Sequence, residues 1–348
     1  MARGILDIDL DAIVANWRAL GRLSGSARAG AVVKANAYGL GVAPVARALA
    51  KAGARLFFVV SAEEGAELRS CLGPEIEIML LSGHMSGDTD LISGADLIPL
   101  LSSPGQVARH RGALPGRRYG IQLDTGMNRL GIGPGDWQGL APVIAAEHPA
   151  LVMSHLACAD DAENPGNAAQ LSCFRKMTGE ISAERSLAAT GGILLGPDYH
   201  FDVTRPGIGI YGCRPFAEGR PVVRLTLPVI QIRHVPPGQA VGYGGTWVAG
   251  VPSRIALVAA GYADGLLRAL TGRGSVMING QRCPMVGRVS MDSLAVDITN
   301  LGEDPEMICM IGDEQPVDAV ADMAGTIGYE ILTSFGARYE KTYREAGE

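Results

Sequence analysis

The sequence lacks the marks of several large protein classes. It has no long basic run and a formal net charge of −6, so nothing signals a nucleic-acid surface. No apolar stretch approaches the length of a membrane span. Its six cysteines (Cys71, Cys158, Cys173, Cys213, Cys283 and Cys309) stand far apart, with no Cys-x-x-Cys pair. They read as reduced thiols, so neither a disulfide framework nor a metal site is expected. The first residues, Met1 to Asp11, carry acids where a secretory signal needs an apolar core. Together these absences point to a cytoplasmic protein. Charge is also sparse. Asp, Glu, Lys and Arg make up 19% of the 348 residues, against 47% apolar, which excludes a disordered chain and leaves material for a sizeable core.

What is present reads as two domains. Short apolar runs recur at Ala31–Val33, Leu56–Val60, Ile76–Leu81, Leu97–Leu101, Tyr119–Leu123 and Leu151–Ser154. Weaker ones follow at Ser186–Ala189 and Ile208–Tyr211. Helical patterns such as Val42–Ala52 and Ser61–Arg69 lie between them. This alternation signals a parallel sheet, and continuous apolar strands fit a sheet covered on both faces. Eight such units predict an α/β fold, a (β/α)₈ TIM-like barrel over roughly Asp11–Arg224, with a doubly wound sheet as the alternative. After Pro221 the pattern becomes β-rich: Arg224–Arg233, Ser253–Val258, Gly274–Ile278, Leu294–Ile298 and Met307–Ile311, with Val317–Ile327 the only helical stretch. The expected domains are 1–224 and 225–348, joined near Glu218-Gly-Arg-Pro221. The first strand, about residues 4–9, is free to pair with the β domain.

Several motifs carry chemistry. In Ala31-Val-Val-Lys34-Ala-Asn-Ala-Tyr38-Gly, a lysine ends a buried strand. Burying it charged is costly, and barrel enzymes place reactive groups at such strand ends. It can be a desolvated nucleophile, or it can snorkel to the rim. Arg129 follows candidate strand five on a Gly-flanked loop and suits a carboxylate fork, although such arginines are often merely solvated. His155 ends strand six, either as a structural histidine or at the same rim as Lys34. Gly207-Ile-Gly-Ile-Tyr-Gly212 matches the dinucleotide fingerprint only formally. No helix opens after it, and Leu225–Ala240 holds no acid for a ribose. Exposed amides at Gly207 and Ile208 can instead cradle a phosphate. The β-rich part holds Val241-Gly-Tyr243-Gly, Gly261-Tyr262-Ala-Asp-Gly265 and Gly287-Arg-Val-Ser-Met291-Asp292. Each of these, taken alone, reads as a turn.

In this order, these segments resemble the alanine racemase family over essentially the whole chain. Those are pyridoxal 5′-phosphate (PLP) enzymes with a (β/α)₈ barrel and a C-terminal β domain. The resemblance implies racemisation of L- and D-alanine by a homodimer with shared active sites. It makes Lys34 the Schiff-base lysine and one base. Tyr243, from the partner subunit, becomes the opposite base, and Arg205 the partner of the pyridine nitrogen. His155 becomes the link from Arg205 to Tyr243. Tyr38, Thr190, Gly207, Ile208 and Tyr329 match phosphate-holding positions. Arg129 and Met291 match positions near the substrate carboxylate, and Tyr262 and Asp292 match the access channel. Tyr329 and Met291 would crowd a small pocket and favour alanine over serine or basic amino acids. A broader-specificity or serine racemase and a non-catalytic PLP-binding protein are the alternatives. D-alanine biosynthesis and D-alanine breakdown are both compatible with this reading.

Three positions depart from the family pattern. Ala189-Thr190 stands where Asn-Ser is usual, which keeps a hydroxyl and loses an amide. Gln122 stands where some members have a carbamylated lysine, and it can still hydrogen-bond Arg129. Asn128 replaces a common glycine. The expected chemistry uses two bases on opposite faces of the substrate. Lysine and tyrosine, with reference pKa values of about 10.4 and 10, need perturbing for that task. Arginine does not surrender its proton, so Arg205 should leave the cofactor's ring nitrogen neutral.

Overall fold

Strands with no polar face to show become fully buried. Leu56–Val59 and Ile98–Leu101 are buried at every position. In the computed structural model, which describes residues 3–179 and 181–345, seven parallel strands follow one another in chain order. They are Ala31–Val32, Leu56–Val59, Glu77–Leu80, Ile98–Leu101, Gly120–Gln122, Leu151–Met153 and Glu184–Ser186. An eighth, Val203–Thr204, pairs in parallel with Arg28–Ala29, the piece that precedes the first strand across Gly30. Ala189 bridges Arg205 on its other side. Backbone bonds from Gly30 N to Thr204 O and from Arg205 N to Ala188 O, both 2.9 Å, close the ring. This is the (β/α)₈ barrel.

The helices between the strands have local causes. Val42–Lys51 buries Val42, Val45, Ala46 and Leu49, one stripe at helical spacing. Ala62–Cys71 starts at Ser61, whose side chain accepts from Glu64 N, and Pro104–Ala113 starts at Ser103 with proline in its first turn.

The last strand differs from expectation. Ile208–Tyr211 is a 3₁₀ turn, and the strand lies earlier, at Val203–Thr204. The amides of Gly207 and Gly209 both turn to the Thr190 hydroxyl, at 3.0 and 3.3 Å, and so leave any ladder.

The chain divides into two units. One runs from Ile13 to Gly219, and the other joins the residues up to Ala12 to those from Arg220 onward. The second unit holds an eight-stranded sheet. Its order is Ser253–Val258, Leu294–Asp297, Gln281–Val286, Ser275–Ile278, Met307–Ile311, Val223–Val235, Ile5–Asp9, Glu340–Arg344. Val223–Val235 pairs again with Ser253–Val258, which closes six of these strands into a ring. Ile5–Asp9 alternates, burying Leu6 and Ile8, and lies between Val223–Val235 and Glu340–Arg344. The helical stretch expected at Val317–Ile327 is split. Val317–Ala324 ends at Gly325 with φ of +71°, and a second helix covers Gly328–Thr333.

Candidate functional site

Lys34 stands two residues past the first barrel strand, where the chain coils the wrong way. Ala35, Asn36, Ala37 and Tyr38 all have φ between +52° and +54°. A left-handed turn of non-glycine residues costs about 1–2 kcal/mol for each residue. Neighbouring bonds hold it. Ala37 N donates to Val33 O at 2.9 Å, Gly39 N to Ala35 O at 2.8 Å, and Val42 N to the Asn36 side chain at 2.7 Å. The Tyr38 ring lies 4.5 Å from that of Tyr211, whose hydroxyl donates to Val32 O at 3.0 Å. Strain maintained in this way clusters at functional positions. Burial lowers the proton affinity of the Lys34 amine. The positive charge of Arg129 adds to that, and Glu64 opposes it.

Arg205 follows the eighth strand and is only 3% exposed. Its guanidinium donates to Ser186 Oγ, to Ser154 O at 2.7 Å and to Leu187 O at 3.3 Å. Among the described residues no carboxylate pairs with it. Removing such a cation from water without a counter-charge costs several kcal/mol. Burial pulls its pKa down to about 9, so it stays charged at neutral pH. His155 Nδ1 lies 3.4 Å from it. Burial first, then Arg205, Arg129 and Lys34, push the His155 pKa down to about 3. The imidazole is therefore neutral and can relay a hydrogen bond without adding charge.

A polar cradle lies beside these groups. The Thr190 hydroxyl accepts from the Gly207 and Gly209 amides. Both its lone pairs are then used, which leaves its hydrogen to donate. Gly207 faces the Tyr38 hydroxyl, and a Cβ there would stand 2.7 Å from that oxygen. Gly207 and Ile208 are buried, not exposed as the sequence suggested; Gly207 packs against Tyr38 and Val32.

The Arg129 loop is set by Asp124, whose Oδ1 accepts from the amides of Gly126, Met127 and Asn128 at 2.9–3.1 Å. Asn128 has φ of +55°. That is why glycine suits the position and asparagine is tolerated there. Arg129 itself is exposed. The expected bond from Gln122 to Arg129 is not formed. The buried Gln122 amide instead donates to Leu130 O at 3.5 Å.

In the second unit the three glycine-rich motifs converge. Tyr262 N and Ala263 N donate to Ser290 O and Met291 O, each at 3.0 Å. A Cβ on Gly261 would stand 2.2 Å from Ser290 O, so only glycine allows that approach. Gly242 and Gly244 lie against Arg288. Tyr243 is 72% exposed, Met291 52% and Tyr262 43%. Asp292 is held by Arg338 at 2.6 Å. Tyr329 is half-buried in the helix Gly328–Thr333.

Sequence reasoning missed Ser154, Ser186 and Glu64. The two serines hold Arg205 because strands six, seven and eight are neighbours, which no local motif encodes.

The barrel residues fit PLP. An uncompensated buried cation, a hydroxyl with its hydrogen to spare and a half-buried amine suit an anionic, hydrogen-bonding aromatic aldehyde. A closed parallel barrel with a half-buried amine at a strand end has the architecture of a TIM-like barrel enzyme. Family models for the N-terminal domain of alanine racemase, at residues 8–215, and the C-terminal domain, at residues 222–343, both match. An alanine racemase from Jannaschia sp. is 58% identical over 342 residues, covering 98% of this chain and 99% of that one. One from Cereibacter sphaeroides is 57% identical over 344 residues, covering 99% of each. The crystal structure of alanine racemase from Bartonella henselae with covalently bound pyridoxal phosphate superimposes with a TM-score of 0.94. It is 37% identical and covers 99% of this chain and 100% of that one. The chain belongs to the alanine racemase family, a family of isomerases. No helix among the described residues is long and apolar enough to cross a membrane.

Proposed function

We propose that the chain interconverts L- and D-alanine with PLP as cofactor, using Lys34 and Tyr243 as opposed bases. Lys34 would hold the cofactor covalently, Arg205 would face its ring nitrogen, and Thr190, Gly207, Ile208, Tyr38 and Tyr329 would hold its phosphate. When bound, PLP withdraws electrons from the α-carbon and makes its proton acidic. The residues then manage that proton. Lys34, whose amine would be released when the amine of alanine takes its place, can then take that proton on one face as a desolvated, neutral amine. Tyr243 of a partner subunit returns one on the other face, and neutral His155 connects its hydroxyl to Arg205. Arg205 donates a hydrogen bond and keeps its proton, so it leaves the ring nitrogen unprotonated. Arg129 and Met291 would lie near the alanine carboxylate, with Arg129 the group able to pair with it, and Tyr262 and Asp292 would line its approach.

The observation that carries this reading is Arg205, a buried cation with no carboxylate, beside His155 in a barrel whose strand-end lysine is short of water. A cytoplasmic homodimer is part of the reading. Tyr243, Val248 and Val251 are exposed close together in sequence, at 72%, 52% and 60%, and offer a face for a second copy.

Borohydride reduction followed by peptide mapping tests the anchor, because the chain has only four lysines: Lys34, Lys51, Lys176 and Lys341. The label is expected on Lys34. Lys34→Ala should lose both the cofactor's absorbance band and racemisation in a chiral assay of L-alanine. A variant that keeps the band and the activity removes Lys34 from its role.

A further inference from the structure

Glu64 lies in the first turn of the helix Ala62–Cys71, where an acid is ordinary because it complements the helix N-terminus. Its carboxylate is used elsewhere. Oε2 accepts from the Val60 amide at 2.7 Å, and Oε1 accepts from the Ala35 amide at 2.8 Å. Val60 follows the second barrel strand and Ala35 follows Lys34. One carboxylate thus ties together the ends of two neighbouring strands. Both bonds are charge-assisted, roughly twice as strong as neutral ones. The Ala35 amide also opens the left-handed turn, and opening amides have no partner inside their own turn.

We propose that Glu64 is a positioning residue for Lys34, holding the peptide that follows the lysine to the end of the second barrel strand. The proposal rests on Lys34 being the cofactor's anchor. The Ala35 nitrogen shares a rigid plane with the Lys34 carbonyl. Fixing that plane fixes how the lysine side chain leaves the strand, and it holds the strained turn at its first residue. The carboxylate also sets charge. Burial and Arg129 both favour the neutral amine, and Glu64 opposes them. His155, neutral, adds nothing to that balance.

The test compares holoenzymes of Glu64→Gln, Glu64→Asp and Glu63→Gln. Glu63 is the exposed neighbour on the same turn. In Glu64→Gln, kcat should fall roughly 10–100-fold with KM changed less than about threefold. The pH midpoint of the lysine-linked cofactor's absorbance band should fall by roughly 0.5–1 unit, because a negative charge near the amine is lost. Glu64→Asp keeps the charge but shortens the reach, so kcat should drop while the midpoint stays near wild type. Glu63→Gln should leave both readouts at wild-type values. An unmoved midpoint in Glu64→Gln, or an equal shift in Glu63→Gln, overturns the proposal. Peptide mapping of borohydride-reduced wild type keeps the two readings apart. A label on Lys34 with an unmoved midpoint sinks Glu64 alone, whereas a label on Lys51, Lys176 or Lys341 sinks the anchor.

Discussion

The two units present their candidate residues in opposite ways. In the barrel unit the groups are buried and already held. Arg205 is fixed by Ser186 and two backbone carbonyls, Thr190 by two amides, and Lys34 by a strained turn with its own hydrogen bonds. In the β unit, Tyr243, Tyr262 and Met291 stand exposed on glycine-rich turns. Preorganised charge in a dry setting is what an enzyme uses to stabilise developing charge. The exposed tyrosines of the β unit are not held in that way. The barrel half holds its candidate groups with bonds of its own, whereas the β half leaves Tyr243, Tyr262 and Met291 uncovered.

The sharpest way to break that contrast is to separate the two halves genetically. If Tyr243 serves a neighbour's Lys34, a Lys34→Ala subunit mixed with a Tyr243→Phe subunit regains an intact site. Each parent should be inactive or reduced by about 10²–10⁴-fold. Random mixing makes half the dimers hybrid, each with one good site of two, so activity should recover to about one quarter of wild type. No recovery after denaturation and co-refolding would put both bases in one chain. Tyr243→Phe should also slow the two directions unequally with α-deuterated enantiomers, and equal slowing argues against two bases.

A smaller effect is expected inside the barrel half. Arg205 is read as donating without giving up a proton. Arg205→Glu replaces it with an acid that can hand one to the ring nitrogen. Racemisation should drop by roughly 10²-fold, while pyruvate formed per racemisation event, the sign of transamination, should rise. An unchanged ratio would mean that ring protonation is not what Arg205 controls.

The barrel was largely legible because its first six strands are mostly apolar, interrupted only by Glu77 and Gln122, and such runs have little choice but burial. The eighth was misread. Val203–Thr204 is two residues between Asp202 and Arg205 and carries no apolar run. Ile208-Gly-Ile-Tyr211 looks more strand-like, but the Thr190 hydroxyl takes the amides of Gly207 and Gly209. Lys34 and His155 were legible as strand-end residues. Glu64 was not, since an acid opening a helix needs no further explanation until the Ala35 amide is seen beside it. For the three glycine-rich motifs of the β unit, local sequence offered only turns. Their convergence depends on Gly261 admitting the Ser290–Met291 backbone, a long-range contact that no short motif announces.

The same barrel unit offers a control for whether buried basic groups mark function. His84 and His110 are almost fully buried, with Nδ1 atoms 3.2 Å apart. Arg117 O can only accept, so His110 Nε2 at 3.3 Å carries the proton. Its Nδ1 must then accept from His84 Nδ1–H, and His84 Nε2 accepts from the Thr89 hydroxyl at 3.0 Å. The chain of bonds is neutral throughout, and adding a proton at the shared contact would set two N–H groups face to face. Burial lowers both pKa values from 6.5. His110 and Arg109 press His84 further down while Asp88 opposes, and for His110 the Arg117 carbonyl and Glu147 oppose. A depressed histidine contributes stability at pH above its unfolded value and loses it as pH falls below. Unfolding should therefore become easier from about pH 6.5 downward, by up to roughly 1.4 kcal/mol per pH unit for each proton taken up. His84→Gln keeps a hydrogen-bonding side chain and cannot titrate. The gap between wild type and this variant in urea midpoint should narrow as pH falls toward about 5, while kcat near neutral pH stays close to wild type. A gap independent of pH would mean that the pair does not resist protonation. A large loss of kcat would mean that it belongs to the site after all.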